Sequence, residues 1–302
     1  MHSSSCFVAT IDLSLVDKLR SDLDAQGFAF AKPAHTIFSA QKRGISCTLY
    51  ASGKLTVQGK EMQEFIEFYL EPEILGNLSF THRTEELMAK VDLQARIGVD
   101  EAGKGDFFGP LCIASLKGEK EEIRALLDLG VKDSKKMGDP NILKMAVKIK
   151  QQFAHAIIVI SPKRYNELYQ TFHNLNRLLA WGHATAIDEL HRKTGCNQAL
   201  IDQFGAAYLV ENALKKKNLS IHLTQRTHAE EDPVVAGASI LARASFVEQL
   251  ELLGKDIGIE LPKGASEKVR TVGKLILEQK GIETLDRVCK KHFKTYNEIA
   301  NF

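Results

Sequence analysis

Two acidic residues stand side by side at Asp100 and Glu101, closing the apolar run Ile97-Gly98-Val99. Gly103-Lys104-Gly105 follows, then Phe107-Phe108-Gly109-Pro110. Three chemistries compete for this stretch. A dinucleotide loop needs Gly-x-Gly-x-x-Gly opening a helix. Here the third glycine, Gly109, falls one residue late and leads into another apolar run. A phosphate-cradling loop needs Gly-x-x-x-x-Gly-Lys followed by Ser or Thr. Gly98 to Lys104 fits, but Gly105 has no hydroxyl, and Asp100 and Glu101 would repel phosphates from within the cradle. The third reading is a carboxylate metal site. Adjacent strand residues point to opposite faces, so two such acids share a site only where the strand turns. Gly103 and Gly105 are expected to supply that turn. Hard oxygen ligands favour Mg²⁺ or Mn²⁺. A structural ion pair with a lysine satisfies the same pattern, and the residues alone leave both open.

Further acids occupy comparable positions. Asp202 closes Ala199-Leu200-Ile201, and Glu230, Glu231 and Asp232 precede Val234–Ala242, a run of small residues suited to packing closely on a sheet. Acids before a helix also serve as caps. If three such positions converge, they suit two divalent ions about 3.5–4 Å apart, the arrangement that serves phosphodiester cleavage.

These acids need elements to position them. Residues 11–26 have the spacing of an amphipathic helix, with Gly27 as its stop. Cys47–Tyr50 and Leu55–Val57 flank Ala51-Ser52-Gly53-Lys54, a hairpin signal. Residues 61–70 look helical again. The charged stretch 71–92, with Pro72, Gly76 and Asn77, reads as linker, so we set boundaries at 1–80, 81–92 and 93–302. In the second unit strands are expected at Arg96–Asp100, Leu111–Leu116, Ala154–Ile160, Gln198–Asp202 and Leu219–Leu223. Helical patterns at Leu175–His191 and Val234–Leu253 separate the later ones. The expectation is an α/β domain with a mixed sheet flanked by helices.

Composition narrows the class. The 302 residues are 44% hydrophobic and 26% charged, as in a globular protein with a sizeable core. A net charge of +2 excludes a histone-like binder and a strongly acidic disordered chain, but not a nucleic-acid substrate met by a local basic face. Residues 1–80 hold 7 basic and 9 acidic residues, the remainder 33 and 29, so the basic excess sits in the second unit. Five dispersed cysteines without Cys-x-x-Cys argue against a disulfide framework or a cysteine zinc site. No apolar run reaches membrane-span length and the first residues lack a signal-peptide pattern, so the expected location is the cytoplasm, with no membrane.

Taken in order, the motifs resemble ribonuclease HIII, a type 2 ribonuclease H. Asp100–Pro110 is similar to the family's first motif, Val131–Lys136 to its second block, and Asn174–Ala184 to its middle region. Ile201-Asp202-Gln203-Phe204 is similar to the third acidic motif. Thr227-His228-Ala229-Glu230 with Ala238–Arg243 is similar to the fourth, and Leu261–Ala265 and Lys291-His292-Phe293 to the C-terminal blocks. Two departures stand out. His228 replaces the usual lysine, and the interval from Glu230 to Ser239 is one residue short, which leaves Glu231 a rival.

The resemblance implies an RNase H-like fold and a small N-terminal α+β domain resembling half of the TATA-box-binding protein fold, with a substrate-binding sheet. It implies endonucleolytic cleavage of the RNA strand of RNA/DNA hybrids with two Mg²⁺ or Mn²⁺ ions, leaving 3′-hydroxyl and 5′-phosphate ends, and no obligate protein partner. Asp100, Glu101, Asp202 and Glu230 would be catalytic ligands; Gly103, Lys104, Gly105, Ser134 and Lys135 would contact substrate. Tyr165 reads as a core or rim tyrosine rather than a stacking platform. Trp181 and His183 read as packing residues, and His173, His191 and His292 lack zinc spacing. A non-catalytic nucleic-acid binder is the alternative, opposed by the four intact acids.

Overall fold

The computed structural model describes residues 6–77, 91–131, 137–206 and 208–300. The chain divides into two compact units, Met1–Asp92 and Leu93–Phe302.

The first unit holds β1 (Phe7–Thr10), α1 (Val16–Ala25), β2 (Ala29–Ala31), β3 (Thr36–Lys42), β4 (Ile45–Tyr50), β5 (Lys54–Gly59) and α2 (Met62–Phe65), the last continuing as a π-helical segment, Ile66–Leu75. The five strands form one sheet in the order β1-β5-β4-β3-β2, antiparallel throughout. Phe38, Ala40, Cys47, Leu49, Leu55 and Val57 line its inner face and pack with Leu19, Leu23, Ile66 and Leu70. Alternation sends Ser39, Thr48 and Thr56 outward in one cross-strand row and Gln41, Ser46 and Gln58 in the next. The expected hairpin is present. Two readings need correction. Residues 71–75 belong to the helical segment rather than to a linker, because Leu70 and Ile74 are buried in the core. Three further strands flank the hairpin: β1 and β2 are only four and three residues long, too short to show a period of two.

The second unit holds β6 (Arg96–Ala102), β7 (Leu111–Gly118), α3 (Lys120–Asp128), α4 (Asp139–Gln152), β8 (His155–Ile160), α5 (Pro162–Phe172), α6 (Leu175–Thr194), β9 (Gln198–Asp202), α7 (Tyr208–Lys216), β10 (His222–Arg226), α8 (Pro233–Ile257), α9 (Glu267–Lys280), α10 (Ile282–Val288) and α11 (Lys294–Ala300). Its mixed sheet runs β10-β9-β6-β7-β8, with β10, β9 and β6 parallel and β7 antiparallel to both neighbours. The last expected strand lies three residues further on, at His222–Arg226, because Leu219 closes α7 through a hydrogen bond to Leu214.

Glycines let the two long helices approach the sheet. A Cβ on Gly98 of β6 would lie 2.6 Å from the Val234–Val235 backbone at the start of α8, and one on Gly237 would lie 2.4 Å from Leu116. On the other face Gly182 of α6 receives Ile113. α8 begins where Asp232 accepts hydrogen bonds from the amides of Val234 and Val235, and it ends at Gly258 in the left-handed region. Asp232 also forms a buried ion pair with Arg96, at 2.6 Å, which ties the helix start to the start of β6.

Candidate active site

β6 delivers Asp100 and Glu101 to opposite faces of the sheet. Ile97, Val99, Ala199 and Ile201 face α6; the alternate residues, Asp100 and Asp202, therefore share the α8 face. The parallel register Val99↔Ile201 sets those two acids next to each other at the carboxyl ends of β6 and β9. Asp202 accepts a hydrogen bond from the Ala229 amide at 3.2 Å, which brings the 3-10 turn Ala229–Glu231 beside it. Glu230 is half-buried there, 4.0 Å from the imidazole of His228, whereas Glu231 is exposed. Asp232 is the cap already described. The three consecutive acids thus have three different environments.

Asp100 is bonded to Ser239 of α8 and to the Glu101 amide, at 2.8 Å for the latter. Burial, reinforced by the negative charge of Glu101, pushes its carboxyl up to about 7. Glu101 is held below the usual carboxylate range. Burial works to raise it, but His183 and then Lys104 outweigh that effect. The Nε2–H of His183 donates to Glu101 Oε2 at 2.9 Å; the tautomer follows because a carboxylate only accepts. The Lys104 ammonium donates to Oε1 at 2.7 Å. His183 is fully buried and its Nδ1 has no hydrogen-bond partner; the Lys104 side chain is 44% exposed.

The turn after β6 depends on Gly103. It has φ +89°, and a Cβ would lie 2.3 Å from the Pro110 carbonyl. Gly105 borders open space and keeps an ordinary backbone, so its lack of a side chain clears room rather than making the turn. Tyr165 is buried, as a core tyrosine should be. Ser134 and Lys135 lie outside the described residues.

His183 is the residue that sequence reasoning misplaced. At helical spacing among Leu179, Ala180, Ile187 and Leu190 it looks like packing, and its proximity to Glu101, 82 positions away, is visible only in three dimensions.

Hard oxygen donors suit a divalent ion, and four carboxylates come here from three elements, Asp100 driven toward protonation by its burial and then by Glu101. The strand does not turn until Gly103, so the expected turn leaves Asp100 toward Ser239 and Glu101 toward His183 on the other face. Among the described residues, no three His, Cys, Asp or Glu side chains are gathered closely enough to enclose an ion.

The site therefore sits on a mixed five-stranded sheet with acids at the ends of adjacent parallel strands, covered by helices on both faces. The model of the family described as "Ribonuclease HII" matches residues 97–296, and one described as a domain of unknown function (DUF3378) matches residues 6–78. A ribonuclease HIII of Protochlamydia amoebophila is 52% identical over 299 residues, covering 99% of this chain and 98% of that protein. One of Chlamydia felis is 50% identical over 301 residues, covering 99% and 98%. Among solved structures, Bst-RNase HIII in complex with Mn²⁺ superposes with a TM-score of 0.67 at 26% identity, covering 98% of each chain. The chain belongs to the ribonuclease HIII family, and its second unit has that family's fold.

Proposed function

We propose that this enzyme hydrolyses the RNA strand of RNA/DNA hybrids at internal phosphodiesters, with Asp100, Glu101, Asp202 and Glu230 holding two Mg²⁺ or Mn²⁺ ions. The observation that carries the reading is the pairing of Asp100 with Asp202 at adjacent strand ends, with Glu230 held beside Asp202 through the Ala229 amide. Bound ions would supply Lewis acidity at the phosphodiester and acidify the attacking water. Water adds to phosphorus, the P–O3′ bond breaks, and the oxygen leaves as a 3′-hydroxyl, with the phosphate kept on the 5′ end of the downstream product.

This chain's own groups divide the remaining work. His183 holds Oε2 of Glu101 and so fixes the carboxylate plane. Oε1 is held by the exposed Lys104, which can exchange it for another cation and turn to a substrate phosphate. Backbone amides at Gly103–Gly105 would approach the ribose, where a 2′-hydroxyl contact distinguishes RNA from DNA. Ser134 and Lys135 would meet a further phosphate.

The first unit, which we take as residues 1–80 joined by 81–92 to a catalytic domain at 93–302, would add affinity. The outward rows Ser39-Thr48-Thr56 and Gln41-Ser46-Gln58 form an uncharged hydrogen-bonding face suited to a sugar–phosphate backbone without base reading. No helix among the described residues is long and apolar enough to cross a membrane; we place the enzyme in the cytoplasm and infer no need for a protein partner.

One assay tests the reading. A labelled hybrid, an all-DNA duplex and a DNA duplex with one ribonucleotide are each incubated with Mg²⁺ or Mn²⁺, with Asp100→Asn as control. Cleavage confined to ribonucleotide-containing strands, and lost in Asp100→Asn, supports it. Cutting of the all-DNA duplex, or full turnover by folded Asp100→Asn, refutes it.

A further inference from the structure

We propose that Lys290 is a positioning residue for catalysis: its buried ammonium clamps the loop that follows Gly103–Gly105 and holds it in its substrate-binding shape. The inference rests on the reading of Gly103–Gly105, which that loop holds in place, as a substrate contact. Lys290 is 0% exposed, between α10 and α11. Its ammonium donates to the carbonyls of Gly109 at 2.6 Å, Asp106 at 2.8 Å and Phe108 at 3.4 Å. An ammonium has three N–H donors, and all three are used on this one loop. Among the described residues Lys290 has no ion-paired carboxylate, only the charge of Asp106 nearby, and a fully buried cation is costly without a compensating arrangement. Here convergent carbonyl dipoles provide it.

The surrounding contacts converge on the same loop. The Lys290 amide donates to the Phe107 carbonyl and the Gly109 amide to the Val288 carbonyl, both at 2.9 Å. Asp106 accepts from the Gly264 amide at 2.6 Å and donates its own amide to Gly103 O at 3.3 Å. Phe107 and Phe108 pack below with Phe246, Leu285, Val288 and Cys289. Gly103 to Gly109 therefore rests on a C-terminal platform, and the lysine is that platform's only side-chain donor to the loop among the described residues. Removing it frees three carbonyls in a buried site, so the loop must shift to rehydrate them.

The groups facing Lys290 are Asp106, Cys112 of β7, Cys289, and Tyr165 of α5, whose ring centroid is 5.7 Å away, with His292 two residues on. Burial lowers Lys290 to about 8. Burial raises Cys112 to about 11 and Cys289 to about 12, raises Tyr165, and lowers His292 to about 4. Of these shifted groups, Lys290 is the one that loses its proton near pH 8.

The test is steady-state kinetics of the full-length enzyme with Mg²⁺ on a labelled RNA/DNA hybrid, comparing wild type, Lys290→Met, Lys290→Gln and Lys104→Ala. A displaced loop weakens substrate and transition state alike, so KM should rise about tenfold in both Lys290 variants while kcat at saturating hybrid falls less than about threefold. Between pH 8 and 9, above the Asp100 transition, wild-type KM should rise more steeply than that of Lys290→Gln. Wild-type KM in a folded Lys290 variant, with KM raised in Lys104→Ala, overturns the clamp and leaves the loop reading intact. Unchanged KM in Lys104→Ala removes the loop reading itself. If neither Lys290 variant folds, Asp106→Asn, which keeps the carbonyl that Lys290 binds but weakens the Gly264 contact to the same loop, decides: an unchanged KM there overturns the proposal.

Discussion

Glu230 and Glu231 are chemically identical neighbours that differ in burial. The Ala229 amide binds Asp202, and of the two glutamates that follow it Glu230 is half-buried while Glu231 is exposed. Glu230→Gln should lower kcat about 100-fold or more, a transition-state loss of ~2.7 kcal/mol. Glu231→Gln should change activity little and stability by less than about 0.5 kcal/mol, as surface changes usually do. Turnover at saturating hybrid with matched Mg²⁺ titrations compares them; the reverse order of damage would transfer the ligand role to Glu231. His183 makes a second residue-scale case. It fixes Glu101 as second-layer partners fix metal ligands, and removing such a partner costs about 10–100-fold in metal affinity. His183→Ala should raise the Mg²⁺ concentration for half-maximal activity by that factor. An unchanged Mg²⁺ midpoint would reduce His183 to a packing residue.

Element ends carry the next layer of design. Asp232 both caps α8 and neutralises buried Arg96, so Asp232→Ala leaves two amides and a guanidinium without their acid. Breaking a buried pair in this way costs about 3–5 kcal/mol. Urea denaturation should show that loss as a lower midpoint, and a change below 1 kcal/mol would mean the pair is replaceable, on the same scale. The segment between α10 and α11 gives a pH prediction. Burial, helped by the charge of Lys290, lowers His292 to about 4 from its ordinary 6.5. Because the folded-state pKa lies below the unfolded one, the stabilisation is fully present above pH 6.5 and is lost as pH falls toward 4. His292→Phe should therefore flatten the fall in Tm between pH 6.5 and 4 relative to wild type. Parallel curves would show that His292 contributes nothing to acid sensitivity. Nδ1 of His292 is buried without a hydrogen-bond partner, which agrees with a ring kept neutral.

Across the whole molecule, each unit has its own core, and all four acids lie beyond residue 95. Deleting residues 1–80 should raise the dissociation constant for hybrid by about tenfold or more, at least ~1.4 kcal/mol, while saturated single-turnover rates fall much less. Equal affinity with and without the first unit would end the division of labour.

Motif order alone was enough to reach the family, because four acids in three segments, with the blocks between them in a set sequence, constrain identity far more than any one segment. The main strands and the two long helices were legible for a related reason. Arg96–Ala102, Gln198–Asp202 and the helix beginning at Pro233 carry strong apolar patterns bounded by glycine, acid or proline. The short edge strands of the first unit were not legible, since three or four residues hold too little periodicity. The distinct roles of Glu230, Glu231 and Asp232 were not legible either, because local chemistry treats three acids before a helix alike. Only the fold brought His183 to Glu101 across 82 positions, Asp232 to Arg96 across 136 and Lys290 to Gly109 across 181. Sequence records which groups are available and their local geometry; which groups become partners depends on how the sheet and helices close, and a buried charge or imidazole acquires its role only from the partner that closure supplies.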